Sequence, residues 1–87
     1  MYLHIGNKKN IRTSSIIGIF DTDNATVAST TRKYLSRAQK EGNVTSATDD
    51  IPKSFVLYRE GDSHKICFSQ LSTSALCGRL QKPFDTE

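Results

Sequence analysis

Eighty-seven residues allow one small domain, and a chain of this size withdraws only about 60–65% of its unfolded surface from water. Two cysteines are too few for a disulfide-stapled framework, and no run approaches the ~20 apolar residues that span a bilayer. The net charge of +3 is modest but uneven: Lys8 to Lys40 holds seven basic residues against two acidic ones, and Glu41 to Glu87 five against seven.

No apolar segment follows Met1 before Lys8, so no secretion signal is expected, and the chain is expected to be cytoplasmic with reduced cysteines. Tyr2 to Gly6, YLHIG, alternates as a short strand that stops at glycine. Asn7 to Asn10, NKKN, reads as a polar turn. Ile16 to Phe20, IIGIF, is a second strand rich in β-branched residues. Asp21, Asp23 and Asn24 then offer N-caps for a helix over Ala25–Glu41, where Val27, Thr31, Tyr34, Leu35 and Ala38 share one face at a period near 3.6. Gly42-Asn43 ends it.

Asn43 to Thr48 reads as a short third strand, broken by Asp49 to Pro52. Ser54 to Glu60, SFVLYRE, is the strongest strand signal, and the turn EGDS joins it to His64–Gln70 as a hairpin. Ser72 to Leu80 closes the chain as a short helix. The order β-β-α-β-β-β-α predicts an α+β domain with a mostly antiparallel sheet, one domain over residues 1–82 and a flexible tail at 83–87.

A one-sided antiparallel sheet alternates apolar and polar residues. Here Phe55 and Leu57 point to one face while Val56 and Tyr58 point to the other, and Ile16–Phe20 repeats the pattern. One principal helix covers one face. The second is expected to be covered by copies of the chain, with Phe55, Val56, Leu57 and Tyr58 as the oligomer interface, or else by the closing helix.

Two basic groups are candidates for phosphate contact. Lys33, Arg37 and Lys40 line the outer side of the main helix with Arg32 to one side, where solvation and the helix dipole account for them, and no Asn or Gln cluster there suits base reading. Lys8, Lys9 and Arg12 lie in and after a turn, where long cations follow a phosphate backbone; Lys53 joins them as a candidate nucleic-acid contact. His64 and Cys67 have a ligand-like spacing, but on a strand they point to opposite faces, so no metal is expected. Cys67 and Cys77 read as small buried residues. No phosphate loop, nucleophile elbow or metalloprotease helix occurs, so neither an enzyme nor a cofactor is expected.

The segments HIGNKKNIRTSSIIGIF, RAQKEGNVTSAT and HKICFSQLSTSALCGRL resemble the extracellular matrix regulatory proteins of Bacillus-type bacteria, over Met1 to about Leu80. The resemblance implies a Rem-type regulatory domain with a LytTR-like fold that assembles into a ring, and a role in biofilm formation through activation of matrix genes. Its implied partners are further copies of the chain, DNA and an A-type relative. It also marks departures: where A-type relatives carry an arginine before the second strand and an arginine pair after the third, this chain has Ser15 and Ile51-Pro52. Arg12 and Lys53 are the nearby cations, and Asp49-Asp50 adds negative charge.

Overall fold

The computed structural model describes residues 1–6, 9–25 and 29–81. Lys8, Val27 and the predicted tail lie outside them. Strand β1 (Tyr2–Gly6) turns back into β2 (Lys9–Arg12), an antiparallel hairpin with Leu3 opposite Ile11. A 3-10 turn at Thr13–Ser15 leads to β3 (Ile16–Asp21). A helical turn, α1 (Thr22–Ala25), precedes the main helix α2 (Ser29–Lys40). Then come β4 (Val44–Ser46), β5 (Ser54–Glu60), β6 (Ser63–Ser69) and α3 (Thr73–Gln81). The result is a small α+β fold with a mostly antiparallel sheet.

The four-stranded sheet runs β3-β5-β6-β4. β5 sits between β3 and β6, antiparallel to both, and β4 joins parallel to β6. Local chemistry explains most boundaries. Asp21 Oδ1 accepts the N–H of Asn24 at 3.2 Å, the capping role its position predicts. At the end of α2, the Asn43 N–H reaches Ala38 O at 2.9 Å and the Gly42 N–H reaches Gln39 O at 3.1 Å, with Gly42 at φ 77. That is a Schellman closure, and it needs a residue without a Cβ. Gly42→Ala is therefore expected to cost about 1 kcal/mol, read by urea unfolding, with the α2 helix signal retained. Ser72 caps α3, accepting the Ala75 N–H at 3.1 Å.

Both faces of the sheet are covered within one chain. On one side Phe55 and Ile66 are buried under Ala38 of α2, with Leu35, Val44, Leu57 and Phe68 around them. Phe55 stacks on Phe20 at 5.2 Å and meets Phe68 edge-on at 5.7 Å. On the other side Val56, Tyr58 and Cys67 pack with Leu3, Ile5 and Ile11 of the hairpin and Leu76 of α3. Ser69 fastens the hairpin: its hydroxyl donates to Ile5 O at 2.7 Å.

This corrects the expected oligomer interface. Phe55, Val56 and Tyr58 are buried in the chain's own core, and Leu57 is half-buried beside them. The cover comes from Leu3, Ile5 and Ile11 of the hairpin, together with Leu76 of the closing helix. Lys9–Arg12 holds one apolar residue, Ile11, and becomes a strand only by pairing with β1. The hairpin then forms a third layer, so the doubled apolar faces do not by themselves call for a second copy.

One smaller expectation also changes. Cys77 is exposed, not buried, and His4 is an exposed residue whose Nδ1 lies 3.0 Å from Asn10 Oδ1. Of the helix expected over Ala25–Glu41, the structure describes α2 at Ser29–Lys40, and residues 26–28 lie outside the described residues.

Candidate nucleic-acid interface

Arg12 ends β2 directly across from Tyr2, and its guanidinium lies 5.9 Å from the centre of the Tyr2 ring. Tyr2 is 62% exposed, so the pair faces water, and among the described residues no carboxylate forms an ion pair with Arg12. The 3-10 turn carries the chain from Arg12 over to β3, and pairing of Ile16 with Tyr58 brings the far end of β5 alongside. Arg59 stands there, its Nε donating to Gly61 O at 3.3 Å.

These elements enclose one open depression of about 350 Å³ whose charged lining is Lys9, Arg12, Arg59 and Glu60, with Ser15 and Tyr2 between them. A neighbouring depression shares Ser15 and Arg59 and adds Ser14, Ile17 and His64. Exposed Arg12 and Arg59, two hydroxyls and an aromatic face make a surface suited to phosphate oxygens.

Of the predicted contacts, Lys9 and Arg12 come together and Lys53 does not. Lys53 precedes β5, held by its N–H to Ser69 O at 2.9 Å and by its carbonyl, which accepts the Thr22 N–H at 3.0 Å. Arg59 is six residue steps further along the strand, about 20 Å at ~3.3 Å per residue. Lys8 lies outside the described residues. Asp49 and Asp50 line a depression with Gln70, at the Lys53 end of the sheet. The acidic pair is thus remote from Arg12 and Arg59, and the phosphate repulsion it would exert on that rim is screened over more than a Debye length of about 8–10 Å.

Arg59 had no place in the sequence reading. It lies in a strand whose apolar residues dominate the pattern, and its nearness to Arg12 arises from the pairing of β3 with β5, in which Ile16 meets Tyr58 from far along the sequence. The helix cations behave as expected: Arg32, Lys33, Arg37 and Lys40 are exposed, and Arg37 meets Glu41 at 3.6 Å along the same helix. His64 is exposed and Cys67 is buried, on opposite faces of β6, so they do not share an ion. Among the described residues no group of three His, Cys, Asp or Glu could hold a metal, and no helix is long and apolar enough to cross a membrane.

A second surface is apolar. Phe20, Tyr34, Phe55 and Leu57, with Thr30 and Thr31, line a groove of about 250 Å³ between α2 and the outer strand β3. Phe20 is 40% and Tyr34 44% exposed along it.

No protein-family model matches the chain, and no curated protein matches it in sequence.

Proposed function

We propose that this chain is a DNA-associated regulator of the extracellular matrix type, acting in the cytoplasm as an oligomer and contacting phosphate through Lys9, Arg12 and Arg59. The convergence of these three cations on one open depression carries the reading. The resemblance of the sequence to matrix regulators supplies the biological role, and with it the LytTR-like fold and ring assembly. Each surface contact of this kind is worth only about 1 kcal/mol in water, so binding by one chain is weak and several chains on one duplex must act together. With Glu60 among the cations, the depression favours backbone contact, and sequence preference would come from the shape of the DNA.

Fluorescence anisotropy on duplex DNA, repeated over a salt series, tests this. Affinity is expected to fall linearly on logarithmic axes, and Arg12→Ala and Arg59→Ala each to flatten the slope by about 1. Lys53→Ala is expected to leave the slope within error, because Lys53 stands at the other end of the sheet. No binding at low salt, or a slope that Arg12→Ala leaves unchanged, rejects the reading.

A second reading is favoured by the apolar groove between α2 and β3. There the chain is a protein-interaction module of the same pathway, without DNA contact, and an A-type relative is its partner. Co-elution with that relative, lost on Tyr34→Lys, distinguishes it; unchanged elution of both proteins removes it.

A further inference from the structure

β3 is the end strand of the four-stranded sheet: β5 pairs with one side of it, and no described strand pairs with the other. Strand geometry sends alternate N–H and C=O groups out of that free side, a row that only another extended segment matches in full. End strands are commonly blunted by lysine, proline or an inward charge, and IIGIF carries none of these. A bulge between Ile16 and Gly18 kinks the first half and leaves Gly18–Asp21 in regular register with β5. The flanking apolar side chains are wet, with Ile17 55% and Phe20 40% exposed.

Charge selects the occupant. Asp21 and exposed Asp23 lie at the C-terminal end of this edge. Ser15, at its N-terminal end, shares one depression with Arg12 and Arg59 and the next with Arg59 and His64. A strand with one acidic and one basic end is complementary to its own copy when antiparallel and repulsive when parallel. We propose that a second copy of this chain docks its β3 antiparallel against this one, with the twofold axis at Ile19, so that one sheet runs through both copies.

In that register Ile19 faces Ile19 and Gly18 faces Phe20, which keeps every side chain on the face it already occupies. The acidic end of each copy, Asp21 and Asp23, then lies toward the Ser15 and Arg59 end of the other. The contact is isologous, unlike the head-to-tail contact of a ring, and it does not rest on the nucleic-acid reading. Arg59 serves both, so the test is run without nucleic acid and reads assembly alone.

Sedimentation equilibrium over a wide concentration range is the experiment, with thermal unfolding of each variant to verify the fold. The wild-type chain is expected to dimerise reversibly. Asp23→Arg and Arg59→Asp are each expected to weaken self-association about tenfold or more, since twofold symmetry counts every altered contact twice. An equimolar mixture of the two single variants is expected to recover wild-type assembly, because in the mixed pair an arginine faces an aspartate at both contacts. A monomeric wild-type chain overturns the proposal, as does an assembly indifferent to both reversals or a mixture that stays monomeric. Capture of a foreign extended peptide by a chain that itself remains monomeric also overturns it.

Discussion

Leu76→Ala is expected to lower the unfolding free energy by about 2–5 kcal/mol, the largest effect of any single truncation on α3. Leu76 is 0% exposed and is the one residue of α3 buried in the second core, among the described side chains. It holds the helix against Val56, Tyr58 and Cys67 beside the hairpin. The rest of the helix is held by half-buried Leu80 against the same cluster, by the Ser72 cap and by Arg79 Nη1 donating to His4 O at 2.7 Å near solvent. A domain of this size commonly has only about 5–10 kcal/mol in total, so the loss is a large share of it. Urea unfolding at low protein concentration should show a lower midpoint with an unchanged slope. Cys77→Ala, one residue along and exposed, should stay within about 0.5 kcal/mol. A loss below about 1 kcal/mol at Leu76 would mean that the core can close without α3, and that the second face of the sheet is not held shut as described.

That face is where sequence and structure part. The hairpin of β5 and β6 is legible because SFVLYRE and HKICFSQ are dense in β-formers and meet at a glycine turn, with Gly61 at φ 62. The Ser72 cap and the Gly42 stop are legible because each uses a side chain, or the lack of one, at a fixed offset from its helix. Strand β2 is not. KNIR has one apolar residue and two cations, so its local signal is that of a turn, and its strand state comes from β1 across the hairpin. Without β2 there is no third layer, and the doubled apolar faces of β5 then look like an unmet need for a neighbour. The parallel pairing of β4 with β6 is hidden for a similar reason: three residues, VTS, are placed by the connection from α2, where Asn43 O accepts the Ile66 N–H at 2.8 Å.

The candidate site was legible in the same uneven way. Lys9 and Arg12 are conspicuous as clustered cations in a short segment. Lys53 and Arg59 sit near opposite ends of one stretch of chain, and composition cannot tell which end meets Arg12. The antiparallel register of β3 on β5 decides it, since Ile16 pairs with Tyr58 while Asp21 pairs with Ser54. Arg12 precedes Ile16 by four residues, so it joins Arg59. The same register puts Asp21 and Asp23 at the far end of the edge strand, which turns a charge asymmetry along the sequence into opposite charge at the two ends of one strand.

Ser69→Ala is expected to cost about 1–3 kcal/mol, well beyond what the loss of one oxygen from a surface residue does. Its hydroxyl is at 0% exposure and makes two bonds: it donates to Ile5 O at 2.7 Å and accepts the Leu71 N–H at 3.1 Å. Removing it strands a buried acceptor, the Ile5 carbonyl of β1, and a half-buried amide in the β6–α3 connection, so the first keeps most of its desolvation cost and the second part of it. Ser54, its cross-strand partner on β5, is also at 0% exposure and donates to Leu71 O at 2.7 Å. The two serines therefore converge on Leu71 from neighbouring strands, and Ser54→Ala should cost about 1–2 kcal/mol by itself. Because they share that residue, the double variant should depart from additivity by at least about 0.5 kcal/mol in a double-mutant cycle. Hydrogen exchange gives the local readout: in Ser69→Ala the amides of β1 and β2 should exchange faster than those of β5, since the hairpin loses its fastening to the sheet while the β5–β6 pairing remains. Uniform acceleration across all strands would instead mean that the hairpin and the sheet unfold as one unit, and the hydroxyl would then be a general core contact with no special hold on the third layer.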